Sequence, residues 1–290
     1  MSNRLTKIAI SGANGFVGRN VGKLLKKNGI KVIGIVRKGK ESSITFTPII
    51  SCDLSEKHLA NKLRGCVAFL HFIGIGKQTI ESDYEKVNTG LTKRAVQVCK
   101  KAGIKKIIYI SGLGVQKNST FGYFISKYKA EQEIINSGLD YTIFRASHII
   151  GKNDPLSKIL TEQIKKGTVL VAGSGNYHIQ PIFVEDAAMI FLQSITHHKF
   201  SRKIIDLVGP KTITYNCFVK DFLDGKKVKI KKMNLEDAYR NALHNKKNMF
   251  SVDDLNILVG DFVGNHEKLQ KISGIKFKTY KEVLKSSRLS

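Results

Sequence analysis

The chain has 290 residues, 42% of them hydrophobic and 25% charged, which excludes a disordered protein and allows one large domain or a domain with an added lobe. Its 49 Lys and Arg against 23 Asp and Glu give a formal charge of +26, which attracts phosphates, anionic lipid or nucleic acid. Lysine dominates that excess and no motif for specific nucleic-acid reading is present, so a lysine-rich surface is the simpler account.

The N-terminal stretch "MSNRLTKIAI" passes almost directly into a strand-like run without a charged-then-apolar leader pattern, and a cytoplasmic protein is expected. "KIAI" from Lys7 reads as a first buried strand, and "RNVGKLLKKNG" as a helix with Val17, Val21, Leu24 and Leu25 on one stripe. Between them lies "SGANGFVG", in which Gly12, Gly15 and Gly18 form G-x-x-G-x-x-G. Glycines between a first strand and a first helix let a pyrophosphate approach the backbone, where the helix N-terminus offers unpaired N–H groups. Gly12, Asn14, Gly15, Phe16, Val17 and Gly18 are the expected contacts.

"KVIGIVR" is a second strand, and it ends in Arg37 and Lys38 about twenty residues beyond the glycines. An acidic residue there would hold the ribose 2′-hydroxyl of NAD(H), whereas a basic one accommodates a 2′-phosphate, so NADP(H) is expected over NAD(H). "LANKLRG" reads as a helix, "CVAFLHFIG" as a strand, "VNTGLTKRAVQVCKKAG" as a long amphipathic helix and "KKIIYISG" as a strand. A further helix opens with "GYFISKYKAEQE" and ends near Gly138, before the strand "DYTIFRAS". This alternation predicts an α/β, Rossmann-like, doubly wound parallel sheet with a small C-terminal substrate lobe. The expected division is a core of residues 1–150, completed by 179–209, with 151–178 and 210–290 as the lobe. Cys52, Cys66, Cys99 and Cys217 have no metal-ligand spacing, so no metal is expected, and scattered thiols suit a reducing compartment.

The ordered motifs resemble the extended and atypical short-chain dehydrogenase/reductases, the epimerase/dehydratase-like group. "SGANGFVG" resembles their nucleotide loop, and Asp53-Leu54 their adenine-reading pair. "HFIG", with Phe72, Ile73 and Gly74, resembles the end of the strand whose backbone lines the cofactor, and Asn88 stands at the Asn of the following helix. "YFISKYKAE" fits Y-x-x-S-K-x-x-A-E at Tyr123, Ser126, Lys127, Ala130 and Glu131. The resemblance implies a proton relay in which Tyr123 exchanges a proton while hydride moves, and Lys127 lowers the phenol's pKa and holds the nicotinamide ribose. Ser111 is the available candidate to bind the substrate oxygen. The sequence departs from the pattern where Gly112, Leu113 and Gly114 stand in place of a later Ser or Thr, and where Ala146, not Pro, follows Arg145.

Beyond Asn153, "NDPLSKILTEQIKKG" reads as a helix over the cofactor cleft, and "FLDGKKVKIKKMN" as a strand whose lysines guard an edge or meet an anionic partner. The tail from Ser251 reads as two short helical pieces around "SGIKFKTY", with Ser251 as a cap and Asp253 and Asp254 in the opening turn. It resembles the nucleotide-binding accessory subunit of respiratory complex I. His178, His197 and His198 read as surface or loop residues, and His148 as the histidine near a substrate. Two functions remain open: an NAD(P)-dependent oxidoreductase, epimerase or dehydratase on a small carbonyl, hydroxyl or nucleotide-sugar substrate, and a non-catalytic NADP(H)-binding subunit or redox sensor. A homodimer or larger complex, and a peripheral contact with an anionic membrane or protein, are the expected associations.

Overall fold

The computed structural model describes residues 6–79, 82–244 and 251–288. The apolar runs become strands separated by helices in the order β1 (Lys7–Ser11), α1 (Phe16–Lys27), β2 (Lys31–Val36), β3 (Thr47–Ile50), α2 (Leu59–Leu63), β4 (Cys66–His71), α3 (Leu91–Ala102), β5 (Lys106–Gly112), α4 (Gly122–Ile135) and β6 (Asp140–Ala146). There follow β7 (Ile149–Ile150), α5 (Pro155–Lys165), β8 (Thr168–Ala172), β9 (His178–Ile179), β10 (Ile182–Phe183), α6 (Val184–Thr196) and β11 (Lys203–Leu207). The chain continues through β12 (Ile213–Thr214), α7 (Tyr215–Leu223), β13 (Lys229–Met233), α8 (Leu235–His244), α9 (Val252–Leu258), α10 (His266–Ser273) and α11 (Tyr280–Arg288).

Seven of these strands form one parallel sheet in the order β11-β6-β5-β4-β1-β2-β3. The sheet is the doubly wound Rossmann-like one that the alternation predicts. Its strands are apolar on both faces because helices cover both. Ile8 and Ile10 of β1 face a core with Val21 and Leu25 of α1 and Ile190 and Phe191 of α6. Ala9 between them faces Leu63 of α2, Cys99 of α3 and Ile134 of α4. Each fully buried Leu, Ile or Phe contributes about 1.5–3 kcal/mol. The strand order reverses between β1 and β4, so the crevice above that junction collects the loops after β1, β4 and β5.

The later chain builds a second core of Leu160, Val169, Val171, Phe218, Leu255 and Leu284 around the parallel pair β8–β13. Lys229, Lys231 and Lys232 are exposed on β13, whose pairing among the described residues is with β8. Two readings of the chain change here. The tail carries three helices rather than two, because Asn265 caps α10 by accepting from the Lys268 N–H. The helix over Val87–Ala102 opens with a wider π turn, Glu85–Gly90, which places Asn88 deep against α4. The Ser251 cap has the expected form: Ser251 and Asp254 bond reciprocally in a capping box.

Candidate functional site

The turn after β1 is shaped by what a Cβ could not occupy. Gly12 sits at φ +69, and a Cβ there would lie 2.8 Å from the Phe72 carbonyl carbon. At Gly18 a Cβ would lie 2.3 Å from the Gly12 oxygen, so α1 can approach the loop only with glycine there. Gly15 is the N-cap of α1, and no side chain caps that end. The first-turn N–H groups therefore remain for an anion, which the dipole of the helix favours.

A cleft of about 400 Å³ opens above this loop. Gly12, Gly15, Phe16, Val17, Gly18, Phe72 and Gly74 line one side, and Ser111, Tyr123 and Lys127 the other. Tyr123 and Lys127 share a face of α4 one turn apart. Lys127 is only 5% exposed, and its Nζ donates to the Ile110 carbonyl at 3.0 Å and the Tyr109 hydroxyl at 3.2 Å. Burial pushes this amine down to about 8, against the pull of Glu131. Glu131 is itself fully buried in a two-point pair with Arg145, at 3.0 and 2.7 Å. Burial pushes the Tyr123 phenol up to about 12, so it holds its proton at neutral pH. Its ring lies against Gly112: a Cβ there would meet the Tyr123 hydroxyl at 3.0 Å. Gly112, in place of a Ser or Thr, thus makes room for the phenol.

Ser111 Oγ is buried and has no hydrogen-bond partner among the described residues. An unmet buried hydroxyl costs about 1–3 kcal/mol, so one on a cleft wall fits a ligand oxygen. The glycine cradle, the open helix end and this hydroxyl together fit a dinucleotide with a substrate oxygen beside it.

The remaining candidates divide. Asn88 is fully buried outside the cleft lining; its amide exchanges bonds with the Ile75 backbone at 2.9 and 3.1 Å and donates to Ser126 Oγ at 3.0 Å. It ties the loop after β4 to α4. Arg37 and Lys38 are exposed after β2, and Asp53 and Leu54 follow β3, all on the strand-end edge that carries the glycine turn. Leu54 takes φ 63, and Arg94 of α3 binds both the carboxylate and the backbone carbonyl of Asp53. The Ser55 hydroxyl is the main reason that carboxyl sits below its usual range. Asn14 and Ile73 flank the cleft without lining it.

Three features were not legible in the sequence. His71, fully buried, bonds Ser11 Oγ through Nδ1 at 2.7 Å and Thr92 Oγ1 through Nε2 at 3.1 Å. Thr92 Oγ1 already donates to the Asn88 carbonyl at 2.6 Å, so it accepts from His71 Nε2–H, and Nδ1 accepts from Ser11. Burial, helped by the nearby Lys127 charge, presses this imidazole down to about 3. His71 stacks on Tyr109, which links it to Lys127. Secondly, a smaller cavity adjoins the cleft beyond Tyr123; His148, the histidine the sequence singles out, lines it, and so does His178, which the sequence alone leaves as a surface or loop residue. Thirdly, Ile257, Gly260 and Phe262 of the tail form its far wall.

A model described as "NAD(P)H-binding" matches residues 12–174, more than half of the chain. The chain belongs to this NAD(P)H-binding family. Its membership agrees with the resemblance to extended short-chain dehydrogenase/reductases. Among curated relatives, a UPF0659 protein of Saccharomyces cerevisiae is 29% identical over 70% of this chain and 93% of its own length. Subunit 9 of the NADH dehydrogenase [ubiquinone] 1 alpha subcomplex of Arabidopsis thaliana is 26% identical over 71% of this chain, and the ceramide reductase of Caulobacter vibrioides 26% over 62%. The matches cover 54% and 58% of those two proteins' own lengths. Among solved structures, UDP-glucuronic acid 4-epimerase of Bacillus cereus, in complex with UDP-glucuronic acid and NAD, superposes with a TM-score of 0.77 at 16% identity, over 97% of this chain and 98% of that one. At that identity the likeness concerns the fold. No helix among the described residues is long and apolar enough to cross a membrane.

Proposed function

We propose that the chain is an NAD(P)-dependent oxidoreductase that interconverts a carbonyl and an alcohol on a small molecule. The supporting observation is that Tyr123, Lys127 and the unpaired Ser111 hydroxyl border one cleft with the glycine loop. Gly12, Gly15 and the first turn of α1 would hold the pyrophosphate, and Lys127 the nicotinamide ribose. When bound, the dinucleotide supplies or accepts the hydride. In the reducing direction Ser111 Oγ donates a hydrogen bond to the substrate oxygen, and protonated Tyr123 gives that oxygen its proton as the carbon gains hydride. The alcohol is released, and solvent returns the proton to the phenolate. Lys127, one turn away, favours the phenolate while it carries charge.

Arg37 and Lys38 at the end of β2 support NADP(H) over NAD(H). The described cysteines are all free thiols, which suits a reducing, cytoplasmic setting. The second reading, a nucleotide-holding subunit of a larger complex, is supported by the distant likeness to the respiratory-complex subunit and by the charge of +26. Tyr123→Phe separates the two. In an oxidoreductase it leaves NADPH affinity within twofold and lowers turnover at least about a hundredfold. Unchanged turnover would remove Tyr123 from the reaction, and stoichiometric NADP(H) that stays bound through purification and does not exchange would favour the subunit.

A further inference from the structure

The smaller cavity, about 160 Å³, shares Tyr123, Ala146 and Ser147 with the cofactor cleft. A molecule lodged in it therefore lies beside Tyr123. Leu113, Phe124, Ile179, Ile257 and Phe262 are the large apolar side chains of its wall. Phe262 is held in place by two missing side chains: a Cβ at Gly114 or Gly260 would lie 2.4 or 2.1 Å from its ring. The ring also packs on Phe124 at 5.1 Å.

The polar groups in this chamber are few and poorly suited to an anion. Burial lowers the His148 pKa, against the pull of Asp154, and so favours the uncharged imidazole. His178 turns its Nδ1 to Asp261, at 3.0 and 3.1 Å, so its charge when protonated is already matched. Among the described residues no Lys or Arg lines the chamber, although the chain carries 49 of them. A nucleoside diphosphate taken from water needs cationic or multiple N–H partners, because its desolvation is not otherwise repaid. Volume argues in the same direction, since a cavity of about 150 Å³ accepts a benzene-sized group.

We propose that the substrate is an uncharged carbonyl compound with a compact apolar group, about the size of one ring, attached to the C=O, and that it is not a nucleotide sugar. This rests on the oxidoreductase reading above. Reduction moves a hydride from the dihydronicotinamide to the carbonyl carbon and a proton from Tyr123 to its oxygen, leaving the alcohol and the oxidised dinucleotide.

The test uses the full chain with NADPH and two probes, acetophenone and UDP-glucuronic acid. Binding is followed by calorimetry, and NADPH consumption by absorbance. Acetophenone should bind and be reduced, and UDP-glucuronic acid should do neither. In Ile257→Ala the chamber is larger, and preference should move at least fivefold from acetophenone toward butyl phenyl ketone; in Ile257→Lys acetophenone binding should fall at least tenfold. Binding or turnover of UDP-glucuronic acid, binding of neither probe, or affinities indifferent to both Ile257 variants would overturn the proposal. If acetophenone binds with this Ile257 dependence but consumes no NADPH, the apolar chamber stands and the oxidoreductase reading fails.

Discussion

Replacing Lys127 with Met tests whether the buried amine is held in the fold at an energetic cost. The amine keeps two hydrogen bonds and lies 4.8 Å from the Tyr109 ring centroid, yet burial brings it from 10.5 to about 8. At about 1.4 kcal/mol per pH unit, that gap corresponds to roughly 3 kcal/mol spent on the buried charge at neutral pH. The sign follows from proton counting. Between pH 8 and 10.5 the unfolded chain keeps a proton that the folded one has lost, so stability from this group rises with pH. It falls again as pH drops to 8, and below 8 the cost is constant. Other groups oppose this trend: the thiols of Cys66 and Cys99 are raised by burial, so the unfolded chain loses those protons first. The informative quantity is therefore the difference between the parent protein and Lys127→Met, in which those thiols cancel. Urea unfolding at pH 8 and 9.5 should show the parent gaining about 1.5 kcal/mol on the variant, slightly under the full slope because half the molecules still carry the proton at pH 8. A difference that stays constant, or moves the other way, would refute the placement of a costly ammonium here and with it the poised Lys127.

His71 is expected to make the fold acid-sensitive: between pH 6.5 and 3 the unfolded chain takes a proton that the buried imidazole refuses. Stability should fall by about 1.4 kcal/mol per pH unit across that window relative to His71→Gln, as read by denaturant titration at pH 6 and 4. Glu131→Ala leaves Arg145 half-buried without its two-point partner and should cost about 3–5 kcal/mol in chemical denaturation; a loss under 1 kcal/mol would show that the pair is not a structural anchor. Gly12→Ala places a Cβ against the Phe72 carbonyl at a left-handed φ, so dinucleotide affinity should drop at least tenfold while circular dichroism shows the fold retained. Unaltered NADPH binding would mean that the turn does not cradle the pyrophosphate.

Local patterns were enough for the parts of this protein that depend on neighbours in the chain. Apolar runs of strand length, helical stripes and glycines at the first turn fix a parallel sheet, because periodicity and backbone freedom are properties of short segments. Tyr123 and Lys127 were legible for the same reason: four residues on one helix share a face. What surrounds them was decided by contacts across dozens of residues. Ser11, His71 and Thr92 meet from β1, β4 and α3, and the tautomer of His71 follows from Thr92's own bond to Asn88. Asn88, readable as a motif position, turns out to brace the loop after β4, since its amide is consumed by Ile75 and Ser126. The smaller cavity beside the cleft was the least legible part. Leu113, Ile179 and Phe262 lie far apart in sequence and carry no spacing signal, because an apolar wall needs only side chains of the right size in the right place. Which apolar residues enter the core and which line a cavity depends on how the tail from Ser251 folds back over α4, and that is settled by packing rather than by any local preference.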